Sequence, residues 1–262
     1  MSEWSVVYEK AIRDDGSLLF PERLTQEFLD SARRTMGSYL FANQYQNEII
    51  PDGEQTFKKD WIRYYTELPD RLNTFIFIDP AISTADTADF TGISVVSTDV
   101  RQNWWVRYAT RMRCNPSELI DMLFQLNHQF KPLIIGIEDV AFQRAIIHFA
   151  FEEMKRRNNH IPLTGVKIGT DKSKETRILS LVPRFEFGTV FLSPSCQDLE
   201  LELAQFPRGT HDDVLDSLAS MQEIVYYPNT LRSKNEQPHP SDPAYESWYI
   251  NNLHKRGRNT EY

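Results

Sequence analysis

The sequence predicts an α/β layer fold, a mixed sheet flanked by helices, and three observations predict it. Residues 74–78 and 133–137 are apolar on both faces, as strands in the middle of a covered sheet must be. Residues 92–98 and 104–110 are rich in β formers and are joined by the turn Asp99-Val100-Arg101-Gln102-Asn103, which makes a hairpin. After residue 116, helical and extended patterns alternate, the order that lays helices on a sheet. The expectation is a three-strand antiparallel meander followed by parallel strands.

Taken in order, residues 1–70 read as a lead-in of short helices and turns. Asp14-Asp15-Gly16-Ser17 is a turn signal. Thr25 can cap a helix with Phe28, Leu29 and Ala32 inward that stops at Gly37, and Tyr39, Leu40, Phe41 and Tyr45 suggest a second short helix. Pro51-Asp52-Gly53 breaks the chain. The main domain, 71–228, opens with the strand at 74–78 and the hairpin. A helix over 116–130 presents Leu119, Met122, Leu123 and Leu126 on one side. Strand 133–137 is followed by a helix over 142–157 with Ala145, Ile146, Phe149 and Met154 inward. Strand 163–168, helix 173–186, strand 189–192 and helices 196–205 and 212–226 complete the core. Residues 229–262 are polar, with Pro238, Pro240, Pro243 and a basic end, and read as a flexible tail.

With 262 residues and 40% hydrophobic content, the chain has enough apolar material for one large domain plus appendages. No apolar run is long enough to span a membrane, and Met1-Ser2-Glu3-Trp4 lacks the order of a signal peptide. Cys114 and Cys196 read as reduced thiols of a cytosolic protein. A net charge of −8 argues against indiscriminate coating of DNA. The charge is uneven, however. Between Arg144 and Arg184 there are nine Lys/Arg against four acids, an excess of +5 that leaves −13 for the remainder. That strip is either a nucleic-acid contact beside an acidic site or a solvated face, and charge alone favours the solvated face.

Three acidic stations carry the chemistry. Asp79 closes the run Phe75-Ile76-Phe77-Ile78, Glu138 closes Leu133-Ile134-Ile135-Gly136-Ile137, and Asp212, Asp213 and Asp216 open the last helix. Two buried strands ending in carboxylates, with a helix carrying more, can gather a nest of negative charge. Such a nest is opposed by desolvation and repulsion unless hard divalent cations neutralise it. Paired Mg²⁺ or Mn²⁺ ions held by carboxylates cut phosphodiesters.

Each station also has a plain structural reading. Asp79 precedes Pro80 and can simply end its strand. Asp139 sits where a helix N-cap belongs, whereas Glu138 is a poor cap and a poor β former. Thr210 or Asp212 can cap the last helix, and Asp213 suits its dipole. Asp216 lies one turn further in, on the face of Asp212 and Asp213, and three like charges there need something positive opposite. His211 touches either the site or a neighbour. The stations gain weight jointly, because functional groups in open α/β sheets gather beyond the carboxyl ends of the strands. The sequence holds no Gly-x-x-x-x-Gly-Lys-Ser/Thr phosphate loop, no Gly-x-Gly-x-x-Gly and no Gly-x-Ser-x-Gly.

Four stretches together resemble a known family. They are Asp79-Pro80-Ala81 with Ala88-Asp89-Phe90-Thr91-Gly92; Ile137-Glu138-Asp139 with Phe142-Gln143-Arg144-Ala145; Lys174-Glu175-Thr176-Arg177 with Phe187-Gly188-Thr189-Val190; and His211-Asp212-Asp213-Val214-Leu215-Asp216-Ser217-Leu218-Ala219. In the lead-in, Asp15-Gly16-Ser17-Leu18-Leu19-Phe20-Pro21-Glu22 and Phe41-Ala42-Asn43-Gln44-Tyr45 add to the likeness. The chain resembles the nuclease portion of the large terminase subunit of tailed bacteriophages, the DNA-packaging motor that cuts concatemeric genomes. The resemblance implies a ribonuclease H-like fold and two divalent cations, Mg²⁺ or Mn²⁺. It implies Asp79, Glu138 and Asp213 as catalytic metal ligands, with Asp212 and Asp216 in the outer shell or on the second ion. Asp86 or Asp89 would assist, and Lys172, Lys174 and Arg177 would hold phosphates.

The implied activity is endonucleolytic cleavage of double-stranded viral DNA with low sequence specificity, in the cytoplasm of an infected bacterial host. The implied partners are DNA, a packaging ATPase domain, the portal and the small terminase subunit, with no membrane. Large terminases carry an ATPase domain first, so here that motor is expected either to have been excised or to lie on another chain. Two other readings stay open. One is a junction-resolving nuclease or polynucleotidyl transferase of the same fold, against which the lead-in tells. The other is a docking module of the packaging machine, which would be indifferent to divalent ions.

Overall fold

Seven strands, β1 (Arg63–Tyr64), β2 (Asn73–Asp79), β3 (Thr91–Thr98), β4 (Trp104–Met112), β5 (Ile134–Glu138), β6 (Leu163–Val166) and β7 (Val190–Leu192), form one mixed sheet in the order β1-β7-β4-β3-β2-β5-β6. The computed structural model describes residues 9–47, 56–81, 90–139, 141–169 and 173–228. Asp86, Asp89, Lys172 and the tail from Asn229 lie outside the described residues. β3 pairs antiparallel with β2 and β4, and the other four pairings are parallel. It follows that β2 and β5 end, and β3 begins, at the same edge of the sheet. The meander followed by parallel strands is the predicted architecture.

Helices cover both faces: α2 (Pro116–Phe130) and α3 (Ala141–Arg157) on one, α4 (Lys174–Leu179), α5 (Val182–Glu186), α6 (Gln197–Gln205) and α7 (Asp213–Ser220) on the other. Alternation along β2 assigns the faces. Ile76 and Ile78 join the α2/α3 core, and Phe75 and Phe77 join the α4–α7 core. All four are fully buried, each stabilising by roughly 1.5–3 kcal/mol. Asp79 continues the Phe75–Phe77 series. On β5, Gly136 faces Phe77, Val166 and Ile224, so Glu138 falls on that same face. Strand parity thus aims both carboxylates toward α7.

Several elements depart from expectation. The helix expected over 173–186 is two, because Pro183, in the first turn of α5, lacks an N–H and restarts the helix. The helix expected over 212–226 ends at Ser220 and continues only as a 3₁₀ turn, Met221–Glu223. On α3 the inward stripe is Ile146, Ala150 and Met154, while Ala145 is exposed and Phe149 is 57% exposed. Spacing of four keeps 146, 150 and 154 in register with the sheet, and Phe149 lies off that stripe.

In the segment before residue 70, α1 (Gln26–Tyr45) is two helical pieces across a kink at Gly37, whose φ of 77° favours glycine. Leu29 is buried there with Ala11 and Phe41, whereas Phe28 is exposed. The Ser38 N–H donates to Glu186 of α5 at 2.8 Å, and β1 pairs with β7, so this segment contributes to the sheet and to its helical layer. Cys114 and Cys196 are free thiols. Among the described residues, no helix is long and apolar enough to cross a membrane.

Candidate metal centre

The site is built where β2, β5 and the head of α7 meet. α7 crosses β2 and β3 closely. Ser217 Oγ donates to the Phe77 carbonyl at 3.0 Å, and an ideal Cβ at Gly92 would lie 2.1 Å from the Asp213 carbonyl oxygen. Gly92 is the partner of Asp79 in the β2–β3 register, so the approach that only glycine permits brings Asp213 over the end of β2.

The electrostatics show that these acids feel one another. Burial, then the charges of Asp216, Glu138 and Asp213, push the Asp79 pKa up to about 7, against an opposing pull from Lys174. Burial raises Glu138 as well, with Asp216 adding to it and Arg177 and Lys174 working against it. Burial also raises Asp216, although Arg177 and Lys174 oppose the shift.

The positive charge opposite Asp216 comes from the protein itself. Arg177 grips Asp216 with bonds of 2.8, 2.8 and 3.1 Å, and Asp216 is only 7% exposed. Lys174 Nζ lies 2.7 Å from Asp212 and 3.9 Å from Asp216. Burial opposes the Lys174 charge, but the hydrogen bond to Asp212 and the charges of Asp212, Asp216 and Asp213 outweigh it and raise the pKa. His211 Nδ1 is 3.8 Å from Asp213, and its ring stands edge-on to Phe90 at 5.0 Å. Asp139 accepts from Arg144 at 2.8 Å.

Asp79, Glu138, Asp213 and Asp216 are therefore brought to one end of the sheet, with Asp212, Lys174 and Arg177 around them. Among the described residues, no three acidic, His or Cys side chains converge closely enough to hold an ion in this arrangement. The donor set nonetheless fits a hard divalent cation by its chemistry. It offers carboxylate oxygens only, partly buried and mutually repelling, the condition that a bound cation relieves.

Beside the site, sequence reasoning missed one buried acid. Glu202 of α6 accepts the backbone N–H of Val214 at 3.0 Å and of Leu215 at 2.9 Å, and takes Arg111 Nη1 at 3.1 Å. Asp212 occupies the N-cap position of α7 but makes no capping bond with its side chain, so the expected local cap is replaced by one from α6. The signal was present in periodicity, since Glu202 lies three residues after Leu199, on the stripe that Leu199 and Leu203 bury.

The large terminase of a thermophilic bacteriophage matches 75% of this chain and 52% of its own, with 11% identity and a TM-score of 0.53. The fold is shared with part of a large terminase, and the chain spans about half the length of that phage terminase (52%). The human cytomegalovirus terminase nuclease domain aligns over 66% of this chain and 94% of its own, at 16% identity and a TM-score of 0.47. The large terminase nuclease of the thermophilic phage G20c, solved with bound zinc, aligns over 64% and 96%, at 20% identity and a TM-score of 0.45. No family model matches the sequence, and no curated protein matches it.

Proposed function

We propose that the chain is a metal-dependent endonuclease that cuts double-stranded, concatemeric viral DNA during genome packaging. The observation that carries this reading is the gathering of Asp79, Glu138 and Asp213 at one sheet edge, with Asp79 pushed to about 7 by burial and its acidic neighbours. The terminase fold supports it.

In this reading Asp79, Glu138 and Asp213 are the ligands of two divalent cations, Mg²⁺ or Mn²⁺. Asp212 and Asp216 stand in the outer shell or on the second ion. Such cations supply activation of the attacking water and stabilisation of the leaving 3′ oxygen. The protein's own part is positional. β2 and β5 present Asp79 and Glu138 from rigid strand ends, and the first turn of α7 presents Asp213. Arg177 and Lys174 neutralise Asp216 and Asp212, which keeps α7's acids from driving the core ligands apart.

Lys172, Lys174 and Arg177 hold phosphates beside the site, contacts that give affinity and little sequence information. Of the two that are described, Lys174 is the more available, 38% exposed against 20% for Arg177. The partners are DNA, a packaging ATPase, the portal and the small terminase subunit, all met in the cytoplasm of the infected host.

The test is supercoiled plasmid incubated with the protein in EDTA, Mg²⁺ or Mn²⁺, with Asp79→Ala alongside. Nicking and linearisation that need metal and disappear in the variant are expected. A folded wild type that never cuts under any of these conditions would move the assignment to a docking module of the packaging machine.

A further inference from the structure

Asp213 is the one core ligand carried by a helix end rather than a strand, and it is fixed from two sides. Its carbonyl rests against Gly92, where no side chain fits. The next two amides, Val214 and Leu215, both donate to Oε2 of Glu202, whose other oxygen takes Arg111. Glu202 is 1% exposed.

Capping a helix does not require this arrangement. A Ser, Thr, Asn or Asp at the N-cap satisfies the same donors without burying a charge, and burying a carboxylate carries a substantial desolvation penalty. Asp212 already occupies the N-cap position, yet its carboxylate is turned to Lys174 at 2.7 Å. Glu202 thus frees Asp212 for the site and fixes the residue beside it.

β4 is shaped for the same contact. The register shift opposite Val95 and Val96 makes Arg107 an extra residue, so Ala109, not Tyr108, joins the α4–α7 core, and Arg111 follows on that face. One turn earlier on α6, Asp198 accepts Thr110 Oγ1 at 2.6 Å and the Arg111 N–H at 3.3 Å, which holds the end of β4 against α6.

We propose that Glu202 is a positioning residue of the metal centre: by clasping the first turn of α7 to Arg111, it fixes where Asp213 presents its carboxylate to a divalent cation. The inference rests on the metal-dependent reading above. Residues that orient metal ligands from outside typically change affinity by about 10–100-fold when removed.

The test is Mn²⁺ binding by calorimetry, well below each protein's melting temperature, with melting followed in parallel. The proteins compared are wild type, Glu202→Gln, Glu202→Ala and Asp99→Ala. Glu202→Ala is expected to weaken Mn²⁺ binding at least about tenfold. Glu202→Gln keeps an oxygen for the two amides but loses the charge facing Arg111, and should fall between. Asp99→Ala, in the β3–β4 turn at the far end of the sheet, should lower the melting temperature and leave Mn²⁺ affinity unchanged. Glu202 variants that melt lower but bind Mn²⁺ like wild type would make Glu202 a structural cap only. If Glu202→Ala does not fold, Glu202→Gln at wild-type affinity overturns the proposal in the same way. A wild type that takes up no Mn²⁺ removes the metal reading and this inference with it, an outcome seen before any substitution is made.

Discussion

Asp79 must be ionised to hold a cation, yet burial and the charges of Asp216, Glu138 and Asp213 hold its pKa near 7 instead of the ordinary 3.8. In the folded protein without metal it keeps its proton to about pH 7, whereas the unfolded chain releases it near 3.8. Between those values the unfolded state binds fewer protons, so Asp79 makes stability fall as pH rises through that window. Asp79→Asn should therefore melt higher than wild type at pH 8 without metal, by several degrees at about 2–4 °C per kcal/mol. The difference should nearly vanish at about pH 3, where Asp79 is largely protonated in both states. Mn²⁺ should raise the melting temperature of wild type and not of the variant. Melting curves at the two pH values, with and without Mn²⁺, check all three. Glu202, also pushed up to about 7 by burial, tilts stability the same way but is common to both proteins and cancels from the comparison.

At the scale of elements, the site depends on how closely α7 crosses β3. Gly92→Ala puts a carbon 2.1 Å from the Asp213 carbonyl oxygen, and the atom it meets is backbone, which cannot rotate away. The head of α7 must shift, with an expected loss of about 1–3 kcal/mol of stability. Chemical denaturation reads that loss directly, and a larger fractional loss of Mn²⁺ affinity should accompany it.

The strands and the acids at their ends were legible because burial leaves a periodic trace: Phe75-Ile76-Phe77-Ile78 and Ile134–Ile137 are apolar on both faces. The break between α4 and α5 was announced by Pro183, though the expected helix ran through it. What could not be read was tertiary. That Phe149 lies outside the inward stripe depends on how α3 is rotated against the sheet. That Glu202, rather than Thr210 or Asp212, caps α7 depends on α6 lying beside α7. Nor could the sequence say that Arg177 and Lys174 supply the positive charge opposite Asp216 and Asp212.

At the scale of the whole molecule, the basic strip is largely spent internally. Arg144 pairs with Asp139, Lys155 with Glu152, Arg156 with Glu153, and Arg157 with Glu153 and Asp121. This is the solvated-face alternative for the α3 part of the strip. If phosphate contacts are confined to Lys172, Lys174 and Arg177, as proposed, the slope of log K against log salt should be no steeper than about −3. Titrating Asp79→Asn with a DNA duplex over a range of salt concentrations measures it, and a much steeper slope would place further cations on the DNA. The metal centre itself is tested most directly by anomalous diffraction from crystals soaked in Mn²⁺. A manganese peak is expected between Asp79, Glu138 and Asp213, with those side chains turned in to meet it. Manganese elsewhere, or none with the three acids left as they are, would contradict a metal centre at this sheet edge.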